Sequence, residues 1–104
     1  MTGGTSVSSY AFCDCFNITS ITLPNSLTTI ESEAFYKCNA ITSITIPVGV
    51  TSIGYNAFYG CSRLLDVYYE KGEAEWSNID INSGNSNLIS ANVHYNYSGK
   101  DNLY

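Results

Sequence analysis

At 104 residues the chain has room for one domain, and an apolar fraction of 44% argues that it folds. A net charge of −5 with a pI near 4.4 leaves no basic face for nucleic acid or an anionic bilayer. No apolar run approaches the roughly 18 residues of a membrane span, so membrane insertion is not expected, and the opening MTGGTSVSSY lacks the basic and apolar parts of a signal peptide.

Residues 1–6 are small and polar and read as disordered or tag-like. From residue 7 onward a period of 23 sets in. Val7, Ile30 and Ile53 are in phase, as are Ala11, Ala34 and Ala57, then Phe12, Phe35 and Phe58, then Cys15, Cys38 and Cys61. Ile18, Ile41 and Leu64 follow, then Ile21, Ile44 and Val67, then Leu23, Ile46 and Tyr69. Within the middle unit Ile44 and Ile46 alternate with Ser43 and Thr45, which predicts a strand with one buried and one wet face. Pro47, with no N–H for a ladder, ends it. GVTSI, residues 49–53, is a second extended piece that turns Val50 and Ile53 inward. NAFYGC, residues 56–61, is a tight turn or one helical turn, too short for a stable α-helix. One such unit buries too little to fold alone. The two and a half to three units of residues 7–69 must therefore pile up as coils about 4.8 Å apart, with Phe12, Phe35 and Phe58 as an internal ladder.

After Val67 the pattern breaks: Tyr68, Tyr69 and Glu70 stand where Thr, Ile and Pro stood. Trp76 and Ile79 are three apart, which predicts a short helix over about 73–79. NSGNSN, residues 82–87, is a loop signal. In ANVHYNY, Val93, Tyr95 and Tyr97 alternate with Asn92, His94 and Asn96, which predicts a strand. Residues 70–97 are thus expected to form a C-terminal cap that covers the last coil with Trp76 and pairs a strand beside residues 65–69. The tail 98–104 is expected to fray.

The combination of ITSITIP (41–47), VTSIG (50–54) and AFYGC (57–61) resembles the BspA-like leucine-rich repeat, the 23-residue type of bacterial and protist surface antigens. DVYYEKGEAEW (66–76) followed by NVHYN (92–96) resembles the closing segment of such arrays in Gram-positive gut bacteria. The resemblance implies a leucine-rich repeat solenoid: a right-handed, β-rich coil stack closed by a C-terminal cap with a short helix and strand. It implies an extracellular or cell-surface location, any signal lying outside these residues. It also implies a non-enzymatic role at the end of an array, in adhesion or binding to a protein or host-surface ligand. In one departure from the commoner leucine-rich consensus, the Cys follows the Ala-Phe pair, so the coil need not match the long-helix horseshoe.

The candidate chemistry is sparse. Cys15, Cys38 and Cys61 repeat with Phe and Ala and read as buried free thiols, since spacing of 23 is not that of a zinc site. Cys13 replaces Tyr36 and Tyr59 and is expected to point outward, either as a bystander or as a reactive thiol. His94, the single histidine, has no nucleophile motif beside it and reads as a solvent-facing strand residue. Glu70, Glu73 and Glu75 read as the solvated start of a helix rather than an acid–base pair. Asp80, Asn82 and Asn85 are calcium-ligand types without the closing Glu of an EF-hand. Asn17-Ile18-Thr19 and Asn96-Tyr97-Ser98 fit the N-glycosylation pattern, which matters only in a eukaryotic secretory host. No cofactor or metal is expected.

Surface rows are the better candidates. Stacking places Ser20, Ser43 and Asp66 in one row and Thr22, Thr45 and Tyr68 in another, on the face that solenoids commonly use for binding. Tyr36 and Tyr59 form a second outward row, with Tyr55 nearby, suited to a protein or a sugar. Three functions compete: a recognition module, a passive stalk or cap, and a carbohydrate-binding module on the Tyr row. The first coil would leave an apolar face and an open strand edge around residues 19–23. Preceding repeats or a second copy of the chain would cover that edge, so self-association is expected of the isolated chain.

Overall fold

In the computed structural model, which describes residues 5–96, every coil contributes one short strand to each of two sheets. In chain order the elements are β1 (Ser6–Val7), β2 (Ser20–Thr22), β3 (Thr29–Ile30), β4 (Ser43–Ile46), β5 (Ser52–Ile53) and β6 (Asp66–Tyr69). Then follow α1 (Glu73–Ser77), β7 (Asp80–Ile81), α2 (Ser86–Ile89) and β8 (Asn92–His94). The odd strands form one four-stranded sheet, β1-β3-β5-β7, and the even strands another, β2-β4-β6-β8. All pairings are parallel, because each strand meets its counterpart only after the chain has made a full circuit through the other sheet. Val7, Ile30, Ile53 and Ile81 occupy one register row, and Ile21, Ile44, Val67 and Val93 another.

The Ala-Phe segment forms a third hydrogen-bonded wall, a turn rather than a helix. The Phe12 and Phe35 amides donate to the Ala34 and Ala57 carbonyls, each at 2.8 Å. The bends at either side of the turn need left-handed backbone at two phased positions. Tyr10, Glu33 and Asn56 hold φ of 62°, 63° and 55°, and Asp14, Lys37 and Gly60 hold 58°, 59° and 79°. Gly60, Asn56 and Asp14 are types that tolerate this region, whereas Tyr10, Glu33 and Lys37 each carry a strain of about 1 kcal/mol. Identical turns above and below, bonded backbone to backbone, hold them there.

Inside the coils the rings of Phe12, Phe35 and Phe58 stack with centroids 5.1 and 5.0 Å apart, nearly parallel at 3° and 9°. Phe35 and Phe58 are fully buried, with Ala34, Ala57, Cys38 and Cys61 around them, while Phe12 and Cys15 in the first coil are half-buried. Ring stacking at the sheet spacing places apolar area on apolar area without a void.

The segment after Val67 pairs a strand beside β6 as expected, and does more than cover the coil before it. It makes another circuit and adds a strand to both sheets, β7 beside β5 and β8 beside β6. The circuit is longer: Ile53 pairs with Ile81, 28 positions on, and Val67 with Val93, 26 positions on. Helix α1 takes up part of the excess. It ends at Ser77 rather than 79, and the expected loop at 82–87 contains the start of α2. Trp76 is half-buried and packs edge-on against Tyr69, with centroids 5.1 Å apart. Tyr69 is itself buried in the row of Ile46, so the irregular Tyr-Tyr-Glu continues the core. Strand β8 is shorter than the predicted run and ends at His94. Ser6 belongs to β1, so the tag-like start is shorter than expected. The expectations for residues 1–4, for Tyr97 and for the tail 98–104 lie outside the described residues. Among the described residues no helix is long and apolar enough to cross a membrane.

Gly54 marks a close approach of two coils through their backbones. A Cβ there would lie 2.4 Å from the Ser32 amide nitrogen, and the clash is with backbone. Gly54→Ala is expected to destabilise the fold by about 2–3 kcal/mol. Gly72→Ala, whose methyl meets only side-chain atoms at 3.2 and 3.9 Å, is expected to cost about 1 kcal/mol or less. Urea denaturation midpoints of the two variants provide the comparison, and equal midpoints would contradict the account.

Candidate functional site

The even sheet presents its polar side chains in two rows fixed by strand register. One runs Ser20, Ser43, Asp66 and Asn92; the other runs Thr22, Thr45, Tyr68 and His94. All six residues predicted for this face come together, and β8 adds Asn92 and His94. The added residues change its character. The Tyr68 and His94 rings stack at 4.8 Å with an interplanar angle of 18°. His94 Nε2 lies 2.9 Å from Asp66 Oδ1, diagonally across the rows, and both side chains are at the surface. A face of small hydroxyls thus ends in an oriented acid, imidazole and phenol. The missed signal is the match of DVYYE (66–70) to NVHYN (92–96), hidden by its spacing of 26.

Tyr36 and Tyr59 lie elsewhere, on the Ala-Phe turns, and the structure does not bring them to the sheet face. Their rings stack on each other at 5.3 Å and 15°, and Lys37 Nζ sits over the Tyr36 ring, 5.4 Å from its centroid. Tyr59 and Tyr55 are exposed. The stack covers one face of each ring, and Lys37 lies over Tyr36, which leaves exposed Tyr59 as the more open of the two.

All four cysteines are free. Cys38 Sγ donates to the Phe12 carbonyl and Cys61 Sγ to the Phe35 carbonyl, the latter at 3.2 Å. Burial pushes the Cys38 thiol up to about 11 and the Cys61 thiol up to about 12. Cys13 is half-buried and its Sγ lies 3.5 Å from Asp14 Oδ2; desolvation and that carboxylate also raise its pKa. A reactive thiolate needs the opposite environment.

Asn85, one of the calcium-type residues, is buried and fully engaged. Its Oδ1 accepts from the Phe58 amide at 2.8 Å, and its Nδ2 donates to the Gly54 and Asn82 carbonyls at 3.0 and 2.8 Å. The side-chain amide stands where earlier coils use the Ala34 and Ala57 carbonyls. Asn85 therefore continues the Ala-Phe wall in the last described circuit, its one side-chain oxygen engaged by the Phe58 amide. Asp80 lies exposed on β7, and Asn82 Nδ2 is within 3.4 Å of the Ile53 carbonyl. Of the three glutamates, Glu75 Oε1 accepts from the Gly72 amide at 3.2 Å and Glu70 Oε1 from the Val48 amide at 3.3 Å.

A family model described as BspA type leucine-rich repeat region (6 copies) matches residues 5–98. Among solved structures, a leucine-rich cell surface protein from Faecalibacterium prausnitzii A2-165 superposes with a TM-score of 0.73 at 32% identity. The match covers 77% of this chain but 21% of that one, so the chain spans about a fifth of its structural relative. No curated protein matches the sequence.

Two outcomes follow from this geometry. Asn85→Ala strands the Phe58 amide and leaves the Gly54 carbonyl with the Ala57 amide alone, and is expected to cost about 2–4 kcal/mol and to speed hydrogen exchange at the Phe58 amide. Unchanged exchange there would contradict that role. The buried thiols set an alkaline limit. Their pKa values are raised on folding, so their contribution is complete below the ordinary thiol value of 9.0 and is lost as pH rises toward 11 and 12. Stability measured by denaturant titration is expected to fall above pH 9, and less steeply in the Cys38→Ala, Cys61→Ala double variant.

Proposed function

This chain belongs to the BspA-type leucine-rich repeat family, and on that premise we propose that it is a non-enzymatic recognition module of a cell-surface or secreted protein. In this reading the polar face of the even sheet binds a protein or host-surface ligand. One observation carries it: the ordered cluster at the end of the rows, with Tyr68 stacked on His94 and His94 bonded to Asp66. Side chains held in place before contact lose little entropy on binding, and an aromatic pair offers more buried area than rows of hydroxyls. The small Ser and Thr side chains beside it supply a flat approach. The cluster has no assembled nucleophile, and its His–Asp pair is open to solvent, so its parts suit contact better than catalysis.

The test is a binding screen of the purified chain against immobilised extracellular-matrix and host cell-surface proteins. The Tyr68→Ala, His94→Ala double variant is expected to weaken any saturable binding at least tenfold, whereas Tyr59→Ala leaves it unchanged. Saturable binding that survives the double variant would move the site off this face. Failure of all partners to bind would favour the passive stalk, whose surface needs no more than the bland Ser and Thr rows.

A further inference from the structure

On the flank of the last coil, away from the sheet rows, α1 and the segment after β4 enclose a cleft of about 200 Å³. Its lining has two parts. Val50, Tyr69 and Ile79 are buried and form an apolar floor, with Val48 as an exposed wall. Glu75 and Asn78 are exposed and form a polar rim. Among the described residues no basic side chain lines the cleft.

The Glu75 carboxylate is held in position. Its Oε1 accepts from the Gly72 amide at 3.2 Å, which fixes the carboxylate on the first turn of α1, at the rim of the cleft. Its charge reaches the floor: the Tyr69 phenol is pushed up by burial and then by Glu75. Glu70, anchored on the Val48 amide, adds a second negative charge beside the wall.

An occupant must cover an apolar floor and end in a positive charge at the rim. We propose that this cleft is a pocket for a lysine side chain presented by a protein partner. The four-carbon stem lies on Val50, Ile79 and Tyr69 while the ammonium reaches the Glu75 carboxylate, the arrangement that long basic side chains adopt at an apolar surface with a polar edge. Lysine is favoured over arginine because Oε1 already accepts from the Gly72 amide, which competes with the two-oxygen geometry a guanidinium fork seeks, whereas an ammonium needs one oxygen. An uncharged stem would fill the floor and desolvate Glu75 without compensation.

The experiment is an NMR titration of the intact chain with a blocked Gly-Lys-Gly peptide. Shifts of the Val48, Val50 and Ile79 methyl signals are expected to saturate, with a Kd on the order of 1–10 mM for so small a probe. Peptides carrying norleucine, acetyl-lysine or arginine are expected to bind at least fivefold more weakly. Glu75→Gln, which keeps an acceptor for the Gly72 amide and hence the fold, is expected to weaken lysine binding by the same factor. Four results would overturn the proposal: no saturation, shifts centred elsewhere, equal binding of the norleucine or arginine peptide, or unchanged binding by Glu75→Gln. Because the cleft and the sheet face are separate surfaces, each result leaves the reading of the Tyr68–His94 cluster as it was.

Discussion

The structure depends on coil-to-coil backbone hydrogen bonding in parallel register. That ladder fixes the rise between coils at the inter-strand distance, and a fixed rise forces each side chain to lie over its counterpart. What can be repeated is then limited to side chains that stack well on copies of themselves. Phe rings do so at 5.0–5.1 Å, and β-branched residues do so on the strands. Ala and Cys fit beside the rings because they are small, and the thiols add bonds to carbonyls of the previous coil. The period is therefore a consequence of stacking geometry, with the composition of each row chosen by what tolerates self-contact.

The same ladder explains how strained backbone is accommodated. Glu33 and Lys37 have no preference for left-handed conformation, yet both adopt it. Their turn is bonded on either side to turns of the same shape, so relaxing one would break hydrogen bonds in two neighbours. Strain confined to a few residues is outweighed by a wall of bonds that only the bent path can make. The Tyr36–Tyr59 stack grows out of this wall and is better understood as lateral packing between coils than as an open platform.

The period of 23, the buried rows and the polar rows were legible in the sequence because they repeat without insertion. Helix α1 was legible from Trp76 and Ile79, although two residues too long. The last circuit was legible in part: its final strand was expected beside residues 65–69, but the insertion of α1 shifts β7 and β8 to spacings of 28 and 26 and hides β7 and the register. That shift concealed His94 as the partner of Asp66 and Tyr68. Asn85 was illegible for another reason: an asparagine in a polar, Gly-containing stretch gives no sign of burial, and only the three-dimensional wall supplies the groups it satisfies. The left-handed positions lacked the usual glycine or asparagine marker in Glu33 and Lys37 and so gave no local signal.

The amide of Asn85 imitates one peptide unit, donor and acceptor together. It asks of the coil before it only an amide at the phenylalanine and a carbonyl at the preceding bend, which every coil in the stack provides. This circuit is in that sense interchangeable: it fits above a short tower or a tall one equally well. Evolution or an engineer can lengthen such a tower by inserting whole storeys beneath it.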